Sequence, residues 1–133
     1  MGSNYGGSDR LDFAHTDDIA EAIAEEVLAP LQAGVKVRYV ISDQRTCNEV
    51  AGVLGTALHK PELKWVTFTD EETIQGAVQS GMPAAAAAQA AELGAALHSG
   101  ALASHYDTLP AGQLGKLKLE DYVQNEFLPA FNA

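Results

Sequence analysis

Three consecutive polar residues, His15, Thr16 and Asp17, combine side chains that could take part in chemistry. They follow the short apolar run 11–14, which predicts a strand, so they would lie at the carboxyl end of that strand. Open α/β sheets bind ligands at this end, and a histidine there can carry a proton near neutral pH. The triplet therefore predicts the remnant of a small-molecule pocket. A purely structural role, with Thr16 or Asp17 capping the next helix and His15 as an incidental polar corner, also explains it.

Two tyrosines in predicted loops, Tyr5 and Tyr106, could complete that pocket, and Asp107 follows the second of them. Tyrosines in loops often line ligand pockets, because they present an apolar ring and a polar tip. Packing on the surface is the alternative explanation. We predict Tyr5, His15, Thr16 and Tyr106 as substrate-pocket residues and Asp17 as a helix cap.

The motifs that would build an active site are missing from the sequence. There is no Gly-x-Gly-x-x-Gly after a strand, no Gly-x-x-x-x-Gly-Lys phosphate loop and no Gly-x-Ser-x-Gly elbow. The single cysteine, Cys47, has no neighbouring base that would complete a nucleophile, so it is interpreted as structural. The four histidines have no metal-ligand spacing. We predict no catalytic residue, no bound cofactor and no metal in this chain.

Composition narrows the class of protein further. The chain has 133 residues, 47% of them hydrophobic, which suits one ordinary domain with a real core. Its formal net charge of −10 disfavours nucleic acid or an anionic membrane as a partner. A single cysteine excludes an internal disulfide, and no apolar run reaches the ~18 to 20 residues that span a bilayer. Without a recognisable signal peptide, these features favour a cytoplasmic location.

Hydrophobic periodicity predicts the order β-α-β-α-β-α-α-α, which indicates an α/β fold with a small sheet of about three strands and flanking helices. The predicted strands are 11–14, 35–42 and 63–69, of which 35–42 has the clearest alternation. Residues 1–9 read as a flexible loop or tag remnant, and 10–133 as the α/β part of one domain spanning 1–133. Residues 101–115 have no period and predict a long ordered loop.

Local signals predict where the helices begin and end. Thr46 and Glu49 have the spacing of a capping box, and Asp70 would cap the following helix. Pro83 would start an alanine-rich helix that Gly100 closes. A last helix would present an apolar face within 116–131, formed by Leu119, Tyr122, Val123 and Phe127.

Five segments in the same order resemble the NmrA-like proteins, an atypical branch of the short-chain dehydrogenase/reductase superfamily. "LDFAHTDDIAEAIAEEVL" is similar to a late strand, corner and helix of that family, whose members carry a comparable Asp-Asp-Ile-Ala segment. "VRYVISDQRTCNEVAGVLGTAL" is similar to the next unit. "LKWVTFTDEE", "SGMP" and "DYVQNEFLPAF" are similar to the carboxyl-terminal tail. The resemblance covers about residues 4 to 131.

The resemblance implies that this chain is the substrate-side portion of an NAD(P)-binding Rossmann-like protein whose dinucleotide-binding half is absent. NAD(P) and any catalytic tyrosine or lysine would then belong to the missing half, so the portion present would bind a small-molecule substrate and be inactive alone. Its parent would be an oxidoreductase or a redox sensor. Its partners would be the missing Rossmann half or a second copy of the chain. Two alternatives stay open: a stand-alone α/β interaction module that homodimerises, and a small enzyme that uses His15 and Asp17.

Overall fold

A computed structural model of the protein describes residues 1–30, 33–35, 37–102 and 114–132. The described chain divides into two compact units. One contains residues 1–11 and 45–102; the other contains the described residues of 12–44 together with 114–132. No helix of the described ranges is long and apolar enough to cross a membrane. That the whole chain behaves as a single domain stays a prediction.

Within the described ranges the strands form two pairs, and not the predicted three-stranded sheet. Strand β1 (Gly2–Ser3) pairs in parallel with β4 (Val66–Thr67), and β2 (Arg10–Phe13) pairs with β3 (Asp43–Thr46). The prediction of a flexible loop over residues 1–9 is therefore wrong for β1. Gly2 fits there because it has no side chain: a Cβ at this position would clash with the carbonyl oxygen of Val66.

The predicted strand 35–42 does not form in the described residues. Residues 37–40 have no strand partner, and strand pairing begins only at Ile41, whose neighbour is Leu114 in a parallel bridge. Val35 is 99% exposed and Val37 is 68% exposed. Alternating apolar residues give a strand only where a second strand supplies hydrogen bonds and a core covers one face. Neither condition is met here.

In the first unit, three helices follow β3 and β4. They are α2 (Cys47–Ala57), α3 (Asp70–Gln79) and α4 (Ala84–His98), and α3 packs on α4. The predicted capping box of Thr46 and Glu49 is confirmed. The helix α3 also begins with a capping box, but its cap is Thr69 with Glu72, not Asp70 as predicted. The helix therefore begins one residue earlier than predicted. With a threonine as the cap, all three acids, Asp70, Glu71 and Glu72, lie in the first turn, where the helix dipole favours them.

Each of these helices ends in the same way. The residue after the cap adopts a left-handed conformation, at His59, Gly81 and Gly100, with φ of 56°, 95° and 73°. The two amides that follow each cap donate back to the last turn, as in the bonds from Lys60 to Gly55 and from Met82 to Ala77. This is the Schellman arrangement, for which glycine is the usual residue.

The core of the first unit is built from small residues. Cys47 and Ala87 are fully buried, and Ala51 and Ala91 are almost so. Burial raises the pKa of the Cys47 thiol, with a further contribution from the charge of Asp9, so this side chain stays protonated and unreactive at neutral pH. The structure therefore supports the interpretation of Cys47 as structural.

The second unit is organised around helix α1 (Thr16–Leu28) and a helical carboxyl-terminal segment. That segment consists of α5 (Leu119–Tyr122), a π-helical stretch (Val123–Phe127) and α6 (Leu128–Phe131). The Ser42 amide donates to the Phe13 carbonyl at 2.7 Å, and the Gly115 amide donates to the Ile41 carbonyl at 2.7 Å. Residues 41–42 therefore lie between the end of β2 and residues 114–115. Together these segments surround the cavity described below.

Candidate functional site

A cavity of about 420 Å³ opens in the second unit at the carboxyl end of β2. Its apolar surface comes from the end of β2 and the residue after it, and from α5 with the leucine before it. Its polar groups come from the corner after β2, from residues 42–43 and from the π-helical stretch. The lining residues are Phe13, Ala14, His15, Thr16, Ser42, Asp43, Leu117, Lys118, Leu119, Tyr122 and Glu126.

His15 joins this cavity to the start of α1. It is the N-cap residue of the helix, with extended backbone, and its Nδ1 accepts the amide hydrogen of Asp17 at 3.1 Å. The prediction of Asp17 as the cap is therefore wrong. The helix begins at Thr16, so the cap position falls on His15, and its imidazole accepts the free amide in place of a carboxylate. Because Nδ1 is an acceptor, the neutral ring carries its proton on Nε2.

The Nε2–H group of His15 donates a hydrogen bond to the carboxylate of Glu126. Its Oε1 lies 2.6 Å from Nε2 of His15, across a separation of 111 residues in sequence. The Tyr122 ring stands edge-on to the imidazole at a centroid distance of 6.3 Å. The side chain of His15 is only 13% exposed, whereas that of Glu126 is 52% exposed, so the pair runs from the wall of the cavity to its mouth. In the described part of the chain, Oε2 of Glu126 has no hydrogen-bond partner.

Asp18 and Ser42 fix one side of the cavity. The carboxylate of Asp18 is buried and accepts the amides of Lys116 and Leu117 at 3.3 and 3.4 Å. The Ser42 hydroxyl accepts the amide of His15 at 2.8 Å and bonds to Asp18. The hydrogen bond from Ser42, together with those two amides, outweighs desolvation and holds the pKa of Asp18 below its usual value. Asp18 is thus an ionised carboxylate whose hydrogen bonds connect α1 to the segment 115–117.

Asp43 and Lys118 fix the other side. Oδ2 of the buried Asp43 accepts the amide of Leu119 at 3.0 Å and so caps α5 from a distant part of the chain. The Lys118 ammonium donates to the carbonyls of Ser42 and Gly115 at 2.7 and 2.8 Å. Two of the three ammonium donors are therefore used by the backbone.

The arrangement favours binding over covalent chemistry. The walls are apolar and aromatic, and the polar end is a carboxylate held by an imidazole, which can accept a ligand hydrogen bond and move a proton at Nε2. The Ser42 hydroxyl accepts the backbone amide of His15 and not its imidazole, so the described lining residues contain no hydroxyl–imidazole pair. In residues 1–30, 33–35, 37–102 and 114–132, no three His, Cys, Asp or Glu side chains are grouped so that they could hold a metal ion.

The sequence-predicted pocket residues are only partly brought together. His15 and Thr16 both line the cavity. Tyr5 belongs to the other unit, where its ring lies 5.6 Å from that of Trp65, whose indole donates to the Tyr5 carbonyl at 2.7 Å. Tyr106 and the neighbouring Asp107 lie outside the described residues.

Sequence reasoning missed several residues that shape the site, because their roles depend on partners far away in the chain. In the sequence alone, Asp18 is explained by its place in a first helical turn, where the helix dipole favours an acid. The missed residues are Asp18, Ser42, Asp43, Lys118, Tyr122 and Glu126.

The strand-to-helix corners of the described chain do not fit a dinucleotide pyrophosphate. Such a group is held by free amides at the start of a helix, in a glycine-rich turn. At each corner a side chain already accepts an amide of the first helical turn. These side chains are His15 at α1, Thr46 at α2 and Thr69 at α3. Each helix also has one or more carboxylates in its first turn, and these repel phosphate.

Comparison with known proteins gives one structural likeness. No protein-family model matches the chain, and no curated protein matches it in sequence. Its fold is similar to that of triphenylmethane reductase from a Citrobacter species, crystallised as a complex with NADP(H), at a TM-score of 0.72 and 21% identity. The match covers 93% of this chain and 43% of the reductase, so the chain spans less than half the length of that protein. The likeness shows that the chain has part of the fold of an NADP(H)-binding reductase.

Proposed function

We propose that the chain is the substrate-binding part of an NmrA-like, NAD(P)-dependent oxidoreductase or redox sensor, and that the dinucleotide site belongs to a part of the fold this chain lacks. The cavity of about 420 Å³ beside His15 is the observation that carries the proposal. It lies at a strand's carboxyl end, where α/β folds bind ligands, in a chain whose fold matches part of an NADP(H)-bound reductase.

The fold match and the strand-to-helix corners support a substrate site in this chain and a dinucleotide site in another part of the fold. The reductase is more than twice as long as the aligned region, and its name and its bound NADP(H) belong to the whole protein. The described corners after β2, β3 and β4 disfavour a pyrophosphate, as argued above. The polypeptide that completes the fold would therefore supply NAD(P) and hydride transfer, and this chain would orient the substrate.

Binding of a small aromatic molecule to the cavity tests the proposal. Addition of 2-methoxynaphthalene to the ¹⁵N-labelled chain should give saturable shifts at the amides of Ala14, His15 and Tyr122. The variant Ala14→Trp, which fills the cavity, should abolish them. The matched control Ala24→Trp, on an exposed position of α1 that does not line the cavity, should retain them. Absence of saturable shifts at the lining residues would contradict the proposal.

A second function, that of a homodimerising interaction module, is favoured by one observation. Ile19, Ile23 and Val27 form a stripe on α1 and are 38%, 59% and 77% exposed. They line an apolar hollow of about 430 Å³ together with Arg38 and Val40. Contiguous apolar surface of this kind is usually covered by another protein surface. This function does not exclude ligand binding in the cavity.

A further inference from the structure

The pairing of His15 with Glu126 carries information about the ligand of the cavity. Their hydrogen bond fixes Oε1 of the carboxylate, while Oε2 has no partner among the described residues. Glu126 comes from a π-helical stretch, a conformation that is rare and frequently found at functional sites. Because His15 holds one oxygen of Glu126 in place, the other oxygen is suited to accept one hydrogen bond from a ligand.

The direction of the hydrogen bonds decides what that ligand offers. Nδ1 of His15 accepts the Asp17 amide, so Nε2 must donate to Glu126, and the carboxylate is the acceptor at the end of this chain of bonds. The remaining oxygen accepts and cannot donate while the carboxylate is ionised. The ligand must therefore bring an O–H or N–H group.

The charges around the cavity decide against an anionic ligand. Two carboxylates, Asp43 and Glu126, line it, and the one lysine there, Lys118, already donates to two carbonyl oxygens. Among the described lining residues the two carboxylates outnumber the one ammonium, so an anion would meet a net negative charge. The apolar remainder, with the rings of Phe13 and Tyr122, suits a flat uncharged ring system.

We propose that the cavity selects uncharged aromatic ligands that carry a hydroxyl or amino group, and that Glu126, oriented by His15, accepts the hydrogen bond from that group. This rests on the proposed function, since it names the ligand class of the same cavity. Because a hydrogen bond to a charged acceptor is stronger than a neutral one, its removal should weaken binding by about tenfold or more.

Three probes separate the contributions: 2-naphthol, its methyl ether 2-methoxynaphthalene, and 2-naphthoate. Calorimetric titration of the full chain near pH 7 should give about tenfold or tighter binding of the naphthol relative to the ether, and the weakest binding for naphthoate. In Glu126→Leu the naphthol and the ether should bind equally. Glu92→Gln, an exposed acid on α4 of the other unit, should leave the preference unchanged.

The possible outcomes distinguish this inference from the proposed function. If the ether binds as tightly as the naphthol to the unaltered chain, or if naphthoate binds best, the selection by Glu126 is overturned while the cavity remains a binding site. Persistence of the naphthol preference in a folded Glu126→Leu variant would also overturn it. If none of the probes binds, the proposed function fails and this inference fails with it. The comparison of probes on the unaltered chain needs no variant to fold.

Discussion

At the scale of single residues, the site depends on a few buried polar groups that are fully bonded. Asp18 and Asp43 are 7% and 6% exposed; the first accepts two amides from the segment before α5, and the second accepts the amide of the first residue of α5. A buried charge is tolerated only when it is satisfied in this way. These residues thus hold the wall of the cavity in place without contributing a reactive group.

The first prediction concerns the cap of α1. His15→Ala should lower the free energy of unfolding by about 0.5–2 kcal/mol, because it removes the side chain that accepts the Asp17 amide. Asp17→Ala should cost less than about 0.5 kcal/mol, since that side chain is 80% exposed and is not the cap. Urea titrations of both variants measure the difference. A larger loss in Asp17→Ala than in His15→Ala would show that the carboxylate is the cap after all.

The second prediction concerns Asp18. Asp18→Asn should destabilise the chain by about 1.5–3 kcal/mol at neutral pH, because it weakens the charge-assisted hydrogen bonds that the buried carboxylate accepts from two backbone amides. The pKa of Asp18 is lowered in the folded chain, first by the Ser42 hydrogen bond. The unfolded chain therefore binds more protons in acid. The stability due to the ionised group is complete above its ordinary pKa near ~3.9 and is lost as the pH falls through the lower folded value.

Denaturant titrations at several pH values test this assignment. The decline in unfolding free energy below about pH 4 should be shallower in Asp18→Asn than in the unaltered chain. Part of the decline should remain, because the pKa of Asp9 is also lowered: burial alone would raise it, but hydrogen bonds from His98 and from the Gly6 amide outweigh burial. An unchanged acid slope in Asp18→Asn would show that Asp18 does not carry this linkage.

At the scale of elements, the chain ends three helices with the same motif but uses glycine in only two of them. His59 occupies a left-handed position with φ of 56°, where a β-carbon is unfavourable. Gly81 and Gly100 occupy the equivalent positions after α3 and α4. This exception gives a third prediction.

His59→Gly should raise the free energy of unfolding by about 0.5–1 kcal/mol, the relief of backbone strain being partly offset by the greater freedom of the unfolded chain. Gly81→Ala and Gly100→Ala are the matched controls and should each destabilise by about 1 kcal/mol. Thermal unfolding of the three variants gives the comparison. A loss of stability in His59→Gly would mean that the imidazole makes a contribution which outweighs its backbone cost.

The same contrast explains which elements the sequence could predict. The capping box of Thr46 and Glu49 and the helix end at Gly100 are local signals, and both appear in the structure as expected. The strand 35–42 has an equally clear local pattern, yet in the described residues pairing starts only at Ile41, and residues 37–40 have no strand partner there. Helices satisfy their own backbone, whereas strands depend on a partner that periodicity cannot identify.

The candidate site follows the same rule. His15 and Thr16 could be placed in a pocket because their position after a strand is visible in sequence. Glu126 could not, since 111 residues separate it from His15, and the π-helical stretch that delivers it has no sequence signal. Likewise, the bond from Asp43 to Leu119 spans 76 residues. Contacts of this range require the folded chain.

At the scale of the whole molecule, apolar surface remains uncovered in the second unit. Val35 and Val37 are 99% and 68% exposed, and the α1 stripe adds Ile23 and Val27. In a complete reductase-like fold we expect such surfaces to be covered by the remainder of the protein. In this chain alone they favour association with another copy.

The fourth prediction is that the chain self-associates through this surface. Light scattering at ~100 μM should give a mass above the 14.0 kDa of one chain, because burial of apolar surface stabilises association. Ile23→Glu should shift the equilibrium to the monomer, whereas Glu71→Gln on α3 should leave it unchanged. A monomer of 14.0 kDa at all concentrations would contradict the prediction.

The central claim, that this chain holds a substrate site but no dinucleotide site, is tested most directly by titrating one labelled sample with 2-naphthol and another with NADPH. We predict saturable shifts at His15, Tyr122 and Glu126 with the naphthol. With NADPH we predict no binding at or below a dissociation constant of ~1 μM, about −8 kcal/mol. Micromolar or tighter binding of NADPH, or a cavity that does not respond to the naphthol, would contradict the claim.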